Sequence, residues 1–332
     1  MLSGVRLATG APAAIMPANR TGAINMRILV LGAGGIGGYY GGRAAAGGAD
    51  VTFLVRPKRA AQIAANGLVI KSPLGDATIA AQTVQADTVK PGWDAIILSC
   101  KAYDLDSAIE AIRPAAAGAK IIPQLNGMQH LDRLEAEFGA EAVLGGMTGI
   151  AVTLEADGTV RHLNNMATFG YGARLPSQVA FCDALQPHLA KGGFDLTNSP
   201  EILQMMWEKW VFLCSIAGMN CLFRGNVGSI VSASAEAAGL MLQMVDECTA
   251  VATAAGFKPR PPADARARSQ LSDPKGQWMA SMLRDLQKGG AVEADHVVGD
   301  MLARAKGFGT PHTMLATAYT HLKVYEASRP KG

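Results

Sequence analysis

The stretch Met26–Gly42, MRILVLGAGGIGGYYGG, constrains the fold more than any other part of the chain. A short apolar run, Ile28–Leu31, leads straight into Gly32-x-Gly34-x-x-Gly37. That order reads as a buried parallel strand, a tight turn and the start of a helix. Each glycine meets a separate mechanical need. Gly32 allows the sharp turn, Gly34 lets backbone amides approach a pyrophosphate, and Gly37 lets the helix lie close on the strand. Amides at the helix N-terminus, where Gly35 and Ile36 stand, then point at phosphate oxygens, and the helix dipole adds attraction. A glycine turn by itself is only punctuation; one set between a strand and a helix predicts a Rossmann-type dinucleotide-binding α/β domain.

The next strand indicates which dinucleotide. Ala49–Val55 is β-branched and apolar and ends in Arg56, followed by Pro57, Lys58 and Arg59. Sites for NAD usually place an acid there to grip the ribose 2′-hydroxyl, and that acid would repel a 2′-phosphate. Arg56 can instead bind such a phosphate bidentately, so the reading is NADP(H), with a solvated basic loop as the alternative.

A chain of 332 residues is long for one core and predicts two domains. Apolar residues make up 49% and charged ones 17%, which supplies a large core and excludes a disordered chain. Two arginines and no acid occur in residues 1–25, so most of the net charge of +3 belongs to that segment. It has neither a secretory apolar core nor a Ser-rich amphipathic pattern, and is set aside as an extension before a natural start at Met26. No basic patch with interleaved aromatics points to nucleic acid, and no apolar run is long enough for a membrane span. Cys100, Cys182, Cys214, Cys221 and Cys248 are scattered without a CxxC pair, which fits a reducing, cytoplasmic setting. The histidines show no ligand spacing, so no metal is expected.

Residues 26–198 alternate strands and helices, as in a doubly wound sheet. Asp94–Cys100 and Lys120–Asn126 read as buried strands, and Val143–Leu154, Thr159–Leu163 and Met166–Gly170 as partly antiparallel ones. From residue 199 to about 327 the periodicity is helical. Ser199-Pro200-Glu201 is a strong helix start, and Ile202–Leu222 is apolar nearly all round, as for a helix through the middle of a helical domain. Further helices are predicted over Ser234–Ala255, Gln277–Lys288, Ala291–Lys306 and Pro311–Ala327, with Lys258–Pro262 as a linking loop. The methionines at 205, 206, 241 and 244 read as core or, alternatively, as a homodimer contact.

Few residues offer chemistry. Lys209 has Met205, Met206, Phe212 and Leu213 as helix neighbours and no intrahelical carboxylate. It is either a lysine stem covering apolar surface or a desolvated ammonium tuned to donate a proton near neutral pH. Glu293 follows Gly289-Gly290 in the first turn of a predicted helix, where an acid also simply complements the dipole. Ser281 and Asp285 share a helix face. Lys101 and Asn126-Gly127 follow buried strands at the end where ligands of open α/β sheets bind, although Asn-Gly is also an ordinary turn.

Together, GAGGIGGYYGG at 32–42, the strand ending in Arg56, Ser99-Cys100-Lys101-Ala102-Tyr103-Asp104, Leu125-Asn126-Gly127-Met128, Trp207-Glu208-Lys209 and Ser281-Met282-Leu283-Arg284-Asp285 with Glu293 resemble the ketopantoate reductases. The resemblance runs in order over nearly all of residues 26–327. It implies an N-terminal Rossmann domain, a C-terminal helical domain like that of 6-phosphogluconate dehydrogenase, and NADPH-dependent reduction of 2-dehydropantoate to pantoate on the way to pantothenate and coenzyme A. Carried over, Lys209 is the general acid, Asn126 places the substrate near the nicotinamide, and Ser281 and Glu293 orient substrate and lysine, with Asp285 close by. The resemblance also puts Lys101 where cofactor and substrate meet. One departure stands out. Asparagines that follow the lysine by one and two helical turns in the family are here Leu213 and Ala217, and Asn220 lies about 16 Å from Lys209 along the axis. Two alternatives therefore stay open: a reductase of another branched 2-oxo acid, and a non-catalytic NADPH-binding sensor.

Overall fold

The computed structural model describes residues 25–329. Its strands are β1 Arg27–Leu31, β2 Asp50–Leu54, β3 Leu68–Lys71, β4 Ala77–Ile79, β5 Gln82–Val84, β6 Ala95–Leu98, β7 Lys120–Pro123, β8 Gly145–Leu154, β9 Val160–Gly172 and β10 Asp195–Asn198. Helices of the first half are α1 Gly35–Ala46, α2 Pro57–Asn66, α3 Leu105–Ile112, α4 Gln129–Phe138 and α5 Val179–Ala190. The second half carries α6 Ile202–Phe223, α7 Val227–Val231, α8 Ala237–Ala254, α9 Pro261–Leu271, α10 Ser281–Gln287, α11 Asp300–Phe308 and α12 Thr313–Ser328. The extension expected at 1–25 lies outside the described residues, apart from its last one.

Strands β5-β2-β1-β6-β7 form a wholly parallel sheet in that order. Its centre is apolar on both faces, with Ile28, Leu29, Val30 and β6 buried, because helices or a second sheet cover each side. The winding starts at β1, runs outward to β2 and β5, and resumes at β6 on the other side. The strand order therefore reverses between β1 and β6, and a crevice opens beyond their carboxyl ends. In the second sheet β9 pairs in parallel with β10 and β3 and antiparallel with β8, while β4 borders β3.

The helical domain is built on α6, which buries residues from Ile202 to Cys221 around most of its circumference. One apolar cluster joins Leu29, Ile96 and Leu131 of the α/β domain to Trp207, Met244 and Val298 of the helical one. The junction between the domains is thus continuous core and fixes the crevice walls.

Among the elements that differ from the sequence reading are three of the helical half. The helix expected over Gln277–Lys288 begins only at Ser281, since the backbone before it is paired elsewhere: Ala280 N donates to Asn220 Oδ1 at 2.9 Å and Trp278 O accepts from Val227 N at 3.1 Å. The helix expected over Ala291–Lys306 opens instead with a π-helical segment, Asp295–Gly299, before α11. There the Trp210 indole donates to Val297 O at 3.0 Å. Helix α9 was not foreseen, because Lys258–Pro262 reads as a loop; Pro261 and Pro262 occupy its first turn, where no N–H partner is needed. No helix among the described residues is long and apolar enough to cross a membrane.

Candidate functional site

The three glycines of the turn do three different things. Gly32 has φ +85°, which a side chain resists. At Gly37 a Cβ would overlap the Gly32 carbonyl and Ser99 Oγ, so α1 can lie on β1 only with glycine there. Gly34 is the reverse case: a Cβ there would meet nothing within 4 Å, so the turn faces open space. Helix α1 also begins without a side-chain cap and without an acid in its first turn. Its orphan amides are free to receive an anion. Gly35 presses against Val152 of β8, and Ile36 packs partly buried beside the same strand.

Arg56 stands at the start of α2 with its side chain 80% exposed and a 3.6 Å contact to Asp104. Arg59 behaves differently. Its Nε donates to Ala33 O at 2.9 Å and its Nη1 to Gly158 O at 2.8 Å, so it braces the glycine turn against the β8–β9 hairpin. The sequence singles out Arg56 and leaves Arg59 within the basic run that follows; its burial and hydrogen bonds are what make Arg59 a brace. The residues present thus fit a dinucleotide with an anionic centre at α1.

Lys209 lies in the middle of α6, and its Nζ donates to Asn126 Oδ1 at 3.1 Å. Parts of the side chain remain accessible, yet protein crowds the ammonium. Burial pushes its pKa down to about 8, and the charge of Glu293 pulls against that shift. The neighbouring residues face elsewhere: Trp207 stacks on Phe257, and Glu208 holds Arg260 at 2.7 Å.

Lys101, just past β6, reaches across the crevice. Its Nζ contacts Asp285 Oδ2 at 3.0 Å and Glu293 Oε2 at 3.4 Å. Burial opposes this ammonium, but the two carboxylates outweigh it and hold its pKa above the ordinary value. Glu293, only 7% exposed, also accepts from Ala102 N at 3.1 Å. Glu293 is therefore bonded to Lys101 and the Ala102 amide, and it acts on Lys209 through its charge. Ser281 opens α10, one turn before Asp285, and its hydroxyl makes no hydrogen bond among the described residues. The structure gathers Lys209, Asn126, Lys101, Asp285 and Glu293 on the crevice between the domains, with Gly32–Gly37 at the switch point.

Leu213 is half-buried and Ala217 buried on α6. Asn220 does not replace the missing polar groups. Its Nδ2 donates to Gly225 O at 2.8 Å while Oδ1 takes the Ala280 amide. A hollow of about 520 Å³ lined by Asn164–Thr168, Asp195 and Trp278 opens elsewhere, and none of the five gathered residues lines it. Sequence reading also missed His130 and His296, which meet at 3.2 Å behind Asn126. Nothing in their spacing signalled the pair.

Comparison with known proteins bears on the family and the fold. The family model described as ketopantoate reductase PanE/ApbA matches residues 28–174, and its C-terminal counterpart matches residues 201–326. The chain is 33% identical over 305 residues to Uncharacterized oxidoreductase YkpB of Bacillus subtilis, covering 92% of this chain and 100% of that one. The crystal structure of 2-dehydropantoate 2-reductase from Geobacter metallireducens superposes with a TM-score of 0.81 at 26% identity, covering 90% and 99% of the two chains. D-mandelate dehydrogenase, solved with NADH and anilino(oxo)acetate, shares the fold with a TM-score of 0.81 at 22% identity over 91% and 99%.

Proposed function

The chain belongs to the ketopantoate reductase PanE/ApbA family of oxidoreductases, and from that membership we propose that it reduces the keto group of a 2-oxo acid, 2-dehydropantoate before others, with NADPH. The observation that carries this reading is Lys209: a crowded ammonium with its pKa near 8, aimed by Asn126 at the mouth of a dinucleotide-binding crevice. When bound, the reduced nicotinamide supplies the hydride that goes to the carbonyl carbon. The turn at Gly34 and the uncapped start of α1 hold the pyrophosphate. Arg56, exposed and loosely paired, takes the 2′-phosphate.

Lys209 Nζ gives its proton to the carbonyl oxygen as negative charge builds there, becomes a neutral amine and recovers a proton from solvent. Its lowered pKa makes it a readier donor than an ordinary lysine at neutral pH. Asn126 Oδ1 restricts the direction in which that proton can leave. Lys101, held by Asp285 and Glu293, ties the two domains across the crevice. Ser281, at the start of α10 one turn before Asp285, would bind a substrate oxygen.

Leu213 and Ala217 favour a second reading, a less hydroxylated branched 2-oxo acid, since a substrate hydroxyl beside them loses a hydrogen bond worth about 0.5–1.5 kcal/mol. Oxidation of NADPH by the purified protein, followed by absorbance, decides between them, with 2-dehydropantoate run beside 2-oxoisovalerate and with NADH as control. A higher kcat/KM for 2-dehydropantoate supports the first reading, and preference for 2-oxoisovalerate the second. No turnover of any 2-oxo acid, with NADPH still bound, refutes both.

A further inference from the structure

Proton donation as described leaves one buried pair unused. His130, in the first turn of α4, is fully buried, and His296 lies in the π-helical segment of the other domain. His130 Nδ1 and His296 Nε2 are 3.2 Å apart, and the rings stack with centroids 5.4 Å apart and planes at 29°. The pair sits directly under the turn that carries Asn126. Gly127 has φ +77°, and a Cβ there would come within 2.8 Å of the His296 carbonyl and 3.2 Å of its ring. The backbone of Asn126 lies within reach of both imidazoles.

A contact between two imidazole nitrogens needs one donor and one acceptor, so the pair shares a single proton there. His130 Nε2 is buried and meets no partner. The tautomer with the proton on Nδ1 leaves only a lone pair unsatisfied at that end, a smaller penalty than a buried orphan N–H. His130 therefore donates and His296 accepts. The charged groups around them are Lys209 of α6, Arg174 beyond β9, and Glu293 ahead of the π-helical segment. Arg174 is itself paired with Glu135 of α4. Burial disfavours a further proton on either ring, and the two cations oppose one on His130; Glu293 pulls His296 the other way without overcoming burial, so both stay below the ordinary histidine range.

We propose that His130 and His296 are positioning residues for the proton donor: as a neutral pair spanning the domain junction they clamp the Asn126–Gly127 turn, and through Asn126 Oδ1 they aim Lys209 Nζ. The clamp rests on contacts within this chain; its consequence for turnover rests on the reductase reading above. Protonation of the pair sets a cation against Lys209 and loosens the turn. In wild-type protein kcat for reduction then falls on the acid side, at a pH below the ordinary histidine range.

His296→Phe keeps the volume and removes the shared proton. It lowers kcat about ten- to hundred-fold, leaves the KM for NADPH unchanged and abolishes the acid limb, while His296→Asn recovers part of kcat. A second measurement needs no turnover: ring-nitrogen NMR of the two histidines in wild type and Lys209→Met. Loss of the ammonium moves the His130 titration to higher pH. A titration unmoved by Lys209→Met overturns the proposal, as does His296→Phe with wild-type kcat and acid limb. If no 2-oxo acid is reduced yet the titration moves, the reductase reading falls and the clamp stands.

Discussion

Lys209 shows how much one residue's chemistry depends on its surroundings. An ordinary lysine is charged throughout the neutral range, whereas this one sits near 8 because burial disfavours the ammonium. Lys209→Met is expected to lower turnover by about 10²–10⁴-fold while NADPH binding, read by fluorescence titration, stays intact. Since the protonated lysine is the donor, kcat for reduction should be level just below pH 8 and fall as pH rises through it. Glu293 supports the ammonium by its charge, so Glu293→Gln should move that alkaline limb to lower pH; a limb that stays in place would separate Glu293 from proton transfer. Arg56→Ala should weaken NADPH by about tenfold or more and leave NADH nearly unchanged, measured as the ratio of their dissociation constants. These candidates were visible as residue types in suggestive positions. Their partners were not: Glu293 bonds Lys101 and the Ala102 amide, where the resemblance had implied a direct role with the proton donor.

At the scale of elements, local sequence rules succeed where an element's own residues satisfy its backbone. The β1–turn–α1 unit is legible because a buried strand, a left-handed glycine and a close helix crossing each leave a local signature. The long apolar α6 announces itself by composition. By contrast, α10 begins late because Asn220, 60 residues away, captures the Ala280 amide. Asn220→Ala would strand that amide and the Gly225 carbonyl, and should lower stability by about 1–3 kcal/mol for each group left unsatisfied, read from the midpoint of urea unfolding. Gly37→Ala should abolish dinucleotide binding, because the new methyl collides with the Gly32 carbonyl and forces α1 off the strand; binding at wild-type affinity would mean that the turn relaxes. The short strands β3–β5 escaped notice since they are partly exposed and take their order from pairing with β2 and β9.

Across the whole molecule, the crevice is held by a shared apolar core and by polar contacts over it, Lys101 to Asp285 and Glu293 on one side and His130 to His296 behind Asn126. Both imidazoles are depressed below their unfolded values. Their contribution to stability is therefore whole above about pH 6.5 and is lost as pH falls toward the folded pKa values, since the unfolded chain binds protons that the fold resists. A thermal midpoint that declines below pH 6.5, with a shallower decline in His130→Phe, is the expected profile. Periodicity and glycine geometry act over a few residues, so the dinucleotide-binding fold, the helical second half and a short list of candidate polar residues are legible in the chain before it folds. Tertiary structure decided which of those residues meet and with what acidity. Lys209 and Asn126 are 83 positions apart, Lys101 and Asp285 184, and His130 and His296 166; burial and neighbouring charge, which set a pKa, exist only once such distant segments are packed together.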